Sequence, residues 1–419
     1  MLVIAGCSKK NETESETNTE EVSSLEKIEG VWNGSIQIPN QPLPIVLTFN
    51  KTSGTISIPA QGLSDYALRS VTLNDTDVFF EMDIQGQRIT FDGKVAQDNI
   101  TGTFTQQGQS FPFELIKGSP EEVVETGNVI QVEVAEGTMD GLLEMPQGEG
   151  PFPLMVIIAG SGPTDHDGNS PALPGKNNSL KMLAEDLAAE GVASIRYDKR
   201  GVGVNAGLAG KEEDLRFDHY IDDAAAWVQF AKSDARFSKV GIIGHSEGSL
   251  IGMVAATQAN ADAFISIAGA GRPIDQVIME QLDAQLPANL LEESNTMLEV
   301  LKKGEQVETI SPELQSLFRP SVQPYLISWL NYDPAEQLKK LQVPVLLVNG
   351  NRDIQVPVKD AELLHDAKKD SELLIVNKMN HVLKESPEDR EGNIATYGNP
   401  DLPLAQDLMD GIIGFLKGL

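Results

Sequence analysis

Residues 244–248 read Gly-His-Ser-Glu-Gly, a spacing that can lift a serine hydroxyl out of a tight strand-to-helix turn. A short apolar run, Val240, Ile242 and Ile243, precedes it, and helix-compatible residues from Leu250 to Ala256 follow. Gly244 and Gly248 fall where a Cβ would collide with the crossing backbone. Ser246 then stands at a helix N-terminus, whose dipole favours negative charge nearby. The chemistry this offers is nucleophilic attack on a carbonyl. Gly-x-Ser-x-Gly is a common pattern, so the strand–turn–helix context carries the reading.

A serine hydroxyl needs a base, and the base needs a third group to orient it. Of the five histidines, His245 sits inside the turn and points away from its neighbour's hydroxyl. His219 and His365 fall in helical patterns with charged neighbours, and His166 lies in a glycine-rich loop. His381 follows the apolar run Leu373-Leu374-Ile375-Val376 by a few loop residues, just beyond a strand's C-terminal end. Catalytic groups of parallel sheets gather at that edge. The strand Val343 to Val348 delivers Asp353 to the same edge, and its rival Asp198, at the end of Val192 to Tyr197, reads as fixing its own loop through backbone amides.

Acyl transfer also needs N–H donors for the developing oxyanion. The amide after the nucleophile, Glu247, is one. The second is expected from the loop after Leu154 to Ile158, where Gly160 and Gly162 flank Ser161. Pro163 and the polar run behind it argue against a helix there, so Ser161 is a donor and not a second nucleophile. Asp165-His166-Asp167-Gly168-Asn169 could suggest a metal site but reads as a tight polar turn, and no metal is expected.

With these pieces in order, residues 128–419 resemble an α/β-hydrolase, close to bacterial esterases of the serine aminopeptidase-like kind. The resemblance rests on Gly160-Ser161-Gly162-Pro163-Thr164-Asp165, Arg196-Tyr197-Asp198-Lys199-Arg200-Gly201-Val202-Gly203, Gly244 to Gly248, Gly350-Asn351-Arg352-Asp353 and Asn380-His381. It implies a mostly parallel eight-stranded sheet, hydrolysis of carboxylic esters and no cofactor. Ala159 departs from the many relatives that carry histidine before the glycine.

The elements that must hold these residues are legible around them. Strands near 129–135 and 138–145 precede the oxyanion strand. Helices at 180–190 and about 218–232 flank Val192 to Tyr197, Phe264 to Ala268 follows the nucleophile helix, and a helix at 404–416 closes the sheet. The stretch at about 272–340 is far longer than one crossover needs and reads as a helical cap. Its Met279, Phe318, Tyr325 and Trp329 suit either an acyl pocket or the cap's own packing.

Ahead of this domain, residues 28–118 alternate apolar and polar positions in seven short runs, punctuated at Gln85-Gly86, Asp92-Gly93 and Gln107-Gly108. They predict a small antiparallel sandwich or barrel, joined by a linker at 119–127 around Glu121-Glu122. At 419 residues the chain is ample for both, and 40% hydrophobic content supports a large core. A net charge of −30 argues against nucleic acid, which needs a basic face.

The single cysteine, Cys7, ends Met-Leu-Val-Ile-Ala-Gly-Cys, which looks like a bacterial lipobox, although the basic start and most of the apolar region of a signal peptide do not precede it. With residues 1–27 as lipobox remnant and polar tether, the expected place is outside the cytoplasmic membrane, held only by lipid on Cys7; a secreted soluble protein is the alternative. The expected function is a serine esterase acting on a small-molecule, short-chain acyl ester through Ser246, His381 and Asp353. A peptidase with Glu247 holding the substrate amine, a glycan acetyl or feruloyl esterase, and a binding lipoprotein with a decayed hydrolase domain are the alternatives.

Overall fold

The computed structural model describes residues 25–38, 43–58, 63–84, 87–106, 108–118, 128–170, 175–283 and 285–419. Cys7, Gln85, Gly86, Gln107 and Glu121-Glu122 lie outside the described residues. The chain divides into two compact units, Met1–Val123 and Val124–Leu419.

The first unit holds β1 (Gly30–Ile36), β2 (Leu43–Phe49), β3 (Gly54–Ile58), β4 (Leu63–Ala67), β5 (Ser70–Asn74), β6 (Asp77–Ile84), β7 (Gln87–Ala96), β8 (Asn99–Gln106) and β9 (Gln109–Lys117). They form one sheet in the order β4-β3-β2-β1-β9-β8-β7-β6-β5, with antiparallel neighbours. β4 and β5 stand at opposite edges, yet only Leu68 and Arg69 separate them. So short a link spans roughly 10 Å, so the sheet curls until its edges approach. Of the two expected forms, the unit is thus an open barrel and not a sandwich. Its inward positions are large and apolar: Trp32, Phe49, Phe80, Phe91 and Phe113 are buried, with Phe80 and Phe91 stacked at 4.6 Å.

The second unit holds β10 (Asn128–Val134), β11 (Gly137–Glu144), β12 (Phe152–Ile158), β13 (Ala193–Arg196), β14 (Phe237–His245), β15 (Phe264–Ile267), β16 (Val345–Gly350) and β17 (Glu372–Val376). The order is β10-β11-β13-β12-β14-β15-β16-β17. β10, β11 and β13 pair antiparallel, and every pair from β13 through β17 is parallel. Along β12, Leu154, Val156 and Ile158 join one core while Met155 and Ile157 join the other. Both faces are covered, which is why these strands read as unbroken apolar runs.

Helices α1 (Ser179–Ala189), α2 (Phe217–Ser233) and α3 (Glu247–Gln258) alternate with the strands. The cap contains α4 (Ile274–Asp283), α5 (Ala288–Leu301), α6 (Gln315–Phe318), α7 (Gln323–Trp329) and α8 (Pro334–Leu338). After it come α9 (Val358–Ala367), α10 (Arg390–Ala395) and α11 (Gln406–Lys417). α2 and α3 cover one face of the sheet, and α1 and α11 the other.

The cap has a small core of its own, with Met297, Leu298, Leu301 and Phe318 fully enclosed. It is rooted at its start by Arg272, which donates to the buried Asp360 through Nε (2.9 Å) and Nη2 (2.7 Å). At α7, Ser328 Oγ accepts the Phe217 N–H at 2.8 Å, and Trp329 stacks on Phe217 at 5.2 Å. Phe318 and Trp329 are therefore engaged in packing. Among the described residues no helix is long and apolar enough to cross a membrane.

Candidate active site

The β14–α3 turn carries Ser246 at φ 54°, ψ −119°, a backbone conformation that L residues rarely adopt and that costs about 1–3 kcal/mol. The surrounding structure holds it there. The Ser246 N–H donates to Ile267 O at 2.9 Å, tying the turn to the end of β15. A Cβ on Gly244 would overlap the Gly248 carbonyl, and one on Gly248 would overlap the carbonyls of Ile158 and Ala159. The two glycines thus let helix, turn and β12 meet. Ser246 is half-buried, and its Oγ makes no hydrogen bond among the described residues.

β16 and β17 deliver the next two groups to the same edge. Asp353 lies three residues beyond β16, and its side chain is wholly buried. Its Oδ1 accepts the N–H groups of Gln355 (2.8 Å) and Val356 (2.9 Å). Its Oδ2 stands 2.8 Å from His381 Nδ1. The carboxylate that strand-end position selected therefore meets the histidine selected the same way.

His245 has a part that its position in the turn did not announce. Its Nε2 donates to the His381 carbonyl at 2.8 Å, and the two rings lie 4.9 Å apart. Burial, with the nearby His381 adding to it, pushes the His245 imidazole down to about 4, so it is neutral at physiological pH. His245 thus ties the residue beside the nucleophile to the backbone that carries His381. The only advance signal was a histidine inside a turn too tight for an idle ring.

The Glu247 carboxylate bears on the peptidase alternative. As a substrate-amine anchor it would need an open carboxylate, but its side chain is buried and taken. Lys199 Nζ stands 3.1 Å from Oε2, and the Tyr325 hydroxyl of α7 donates to Oε1. Lys199 Nζ also donates to Gly160 O at 2.5 Å. Gly160 lies against the elbow, where a Cβ would come within 3.2 Å of Ser246 Cβ. Ser161, next along, is exposed, and its N–H has no partner among the described residues. The Glu247 N–H, at the first position of α3, has none within its own helix.

The neighbouring loop forms a closed polar network. Asp165 Oδ1 accepts the N–H groups of Asp167 (2.9 Å) and Asn169 (2.8 Å), the polar turn expected there. Asp198 accepts the His166 N–H (2.8 Å), His166 Nδ1 (2.6 Å) and the Val204 N–H (3.1 Å). It pins two loops, with His166 as an unforeseen partner. Burial opposes charging of His166, but the hydrogen bond and charge of Asp198, with Asp167 and Asp165 near, hold it above the ordinary imidazole range. His219 accepts the Arg216 N–H at the start of α2 (3.3 Å), and His365 pairs with Ser371 Oγ (3.0 Å).

A largely parallel sheet with helices on both faces, a strained serine elbow and an Asp–His pair at one strand edge define an α/β-hydrolase. The chain belongs to the family described as serine aminopeptidase, S33, which it matches over residues 176–387. That span contains Ser246, Asp353 and His381 and begins after the Ser161 loop. Esterase EstD of Thermotoga maritima is 28% identical over 343 residues, covering 78% of each chain. Among solved structures, Est1E from Butyrivibrio proteoclasticus covers 70% of this chain and 100% of its own, with 18% identity and a TM-score of 0.45. XC6422 from Xanthomonas campestris, described as a serine hydrolase without lid, covers 70% of this chain and 94% of its own, with 15% identity and a TM-score of 0.40.

Proposed function

We propose that the protein is a serine carboxylic-ester hydrolase acting on small or short-chain acyl esters. The observation that carries this is the buried Asp353–His381 pair at the same strand edge as the elbow serine. With Oδ1 of Asp353 held by two backbone amides, Oδ2 fixes the proton on His381 Nδ1. That leaves Nε2 as the acceptor. The Ser246 side chain turns to Nε2 as substrate enters, since such hydrogen bonds are often long in a free enzyme. Ser246 Oγ then attacks the ester carbonyl as Nε2 takes its proton. The amides of Glu247 and Ser161 stabilise the oxyanion. His381 returns the proton to the leaving alcohol, and water, deprotonated by the same nitrogen, releases the acid.

The family's name raises peptide cleavage as the second reading. Glu247, the carboxylate that the sequence offered for a substrate amine, is occupied by Lys199 and Tyr325, which favours the ester. The relative named an esterase supports the same choice. Turnover of matched aminoacyl esters and anilides separates the two: the ester reading expects ester cleavage to dominate, and faster anilide cleavage would reverse it. Ser246→Ala should lower hydrolysis of a short-chain aryl ester by at least about 10³-fold in a folded protein; near-normal turnover would remove Ser246 from the mechanism.

The cellular place belongs to the same proposal. The lipobox-like Met1 to Cys7 and the polar residues after it support an extracytoplasmic enzyme anchored through lipid on Cys7.

A further inference from the structure

Lys199, Glu247 and Tyr325 lie outside the Ser–His–Asp set, yet they join both expected oxyanion donors to the cap. Lys199 and Glu247 form an ion pair whose side chains are 3% and 2% exposed. Burying such a pair is costly unless its geometry and remaining hydrogen bonds are good. Here every polar end is used: Nζ reaches Glu247 Oε2 and Gly160 O and lies 5.2 Å from the Tyr220 ring centroid, while Oε1 accepts from Tyr325.

The peptide between Gly160 and Ser161 is planar and trans, so its C=O and N–H point in opposite directions. By drawing the Gly160 carbonyl to itself, Lys199 fixes where the Ser161 N–H is aimed. Glu247 contributes the other donor from its own backbone and, through its carboxylate, holds Lys199. One ion pair therefore spans the two residues whose amides must converge on one oxygen. Tyr325 belongs to α7 of the cap. Burial, and then the charge of Glu247, raise its phenol well above the usual range, so it remains a hydrogen-bond donor.

We propose that Lys199 and Glu247 are positioning residues that set the direction and spacing of the oxyanion-hole amides, and that Tyr325 transmits cap position to them. This rests on the serine-hydrolase reading above.

The test compares Tyr325→Phe and the double variant Lys199→Met/Glu247→Leu with the parent protein. The double variant removes both charges together and so avoids leaving one stranded. Thermal melting establishes that each is folded. In the double variant, kcat for a short-chain aryl ester should fall about 10–100-fold, less than loss of a whole donor, while KM changes less than about threefold. The rate of labelling by a fluorophosphonate should fall in parallel. Tyr325→Phe, which removes one hydroxyl and is the less disruptive change, should lower kcat about 3–10-fold with KM retained. A kcat within about twofold of the parent in a folded double variant overturns the positioning role, and the same result in Tyr325→Phe overturns the cap linkage. A parent protein that neither turns over the ester nor takes the label refutes the serine-hydrolase reading instead.

Discussion

His245 offers a quantitative test of how the elbow is held together. His245 is 9% exposed as a residue, its imidazole donates to the backbone of His381, and its ordinary value of 6.5 falls to about 4 on folding. Acid therefore protonates this histidine in the unfolded chain before it does so in the folded one. The penalty begins as pH drops below the unfolded value and is complete once it reaches the folded value. Between about pH 7 and about pH 4.5, one such group removes about 2 kcal/mol of stability.

Many carboxylates titrate over the same range, so the measurement is a difference between two proteins. His245→Gln keeps an N–H donor for the His381 carbonyl and does not titrate. Urea unfolding, followed by tryptophan fluorescence in a Trp32→Phe background, would report the catalytic unit through Trp227 and Trp329. The parent should lose about 2 kcal/mol more than His245→Gln over that interval. Equal losses in both proteins would mean that the ring is neither so dry nor so neutral, and its link to His381 would fall with it.

Three further outcomes are expected. Asp353→Asn should lower kcat about 10³–10⁴-fold, because the amide no longer enforces the tautomer of His381; steady-state kinetics on the folded variant checks this, and a loss under tenfold contradicts it. Gly248→Ala should cost about 1–3 kcal/mol or more, since the added methyl meets the carbonyls of Ile158, the last residue of β12, and Ala159 just after it; a melting temperature equal to the parent's would contradict the close approach. Cys7→Ala, expressed in a bacterium, should move the protein from the membrane fraction to the soluble one and abolish metabolic labelling with palmitate; unchanged partitioning would set the anchor aside.

The catalytic fold was legible because its strands are buried on both faces and its functional residues sit at strand ends. An unbroken apolar run such as Leu154 to Ile158 needs no partner to be read as a strand. Asp353 and His381 could be chosen from many carboxylates and five histidines by combining strand-end position with elimination of the rivals, Asp198 among them. The barrel was harder to read. Leu63–Ala67 and Ser70–Asn74 do not read as strands in the sequence because each is short and only Leu68 and Arg69 divide them. A linear pattern does not reveal that such neighbours lie at opposite edges of a curled sheet.

The supporting contacts of the site were the least visible. Lys199 and Glu247 are separated by 48 positions and Tyr325 follows 78 later, so nothing local hints that they meet. A charged pair in a sequence reads as solvated until the fold shows it dry. The same holds for His166 and Asp198, which a glycine-rich loop and a strand end bring together from 32 positions apart.

The mechanism depends first on Ser246 being the nucleophile that His381 activates. Mass spectrometry of the protein after reaction with a fluorophosphonate tests it most directly. A single adduct is expected on the peptide containing Ser246, absent in Ser246→Ala and formed at least about 10³-fold more slowly in His381→Ala. Labelling of a different residue, or labelling at an undiminished rate without His381, would contradict it.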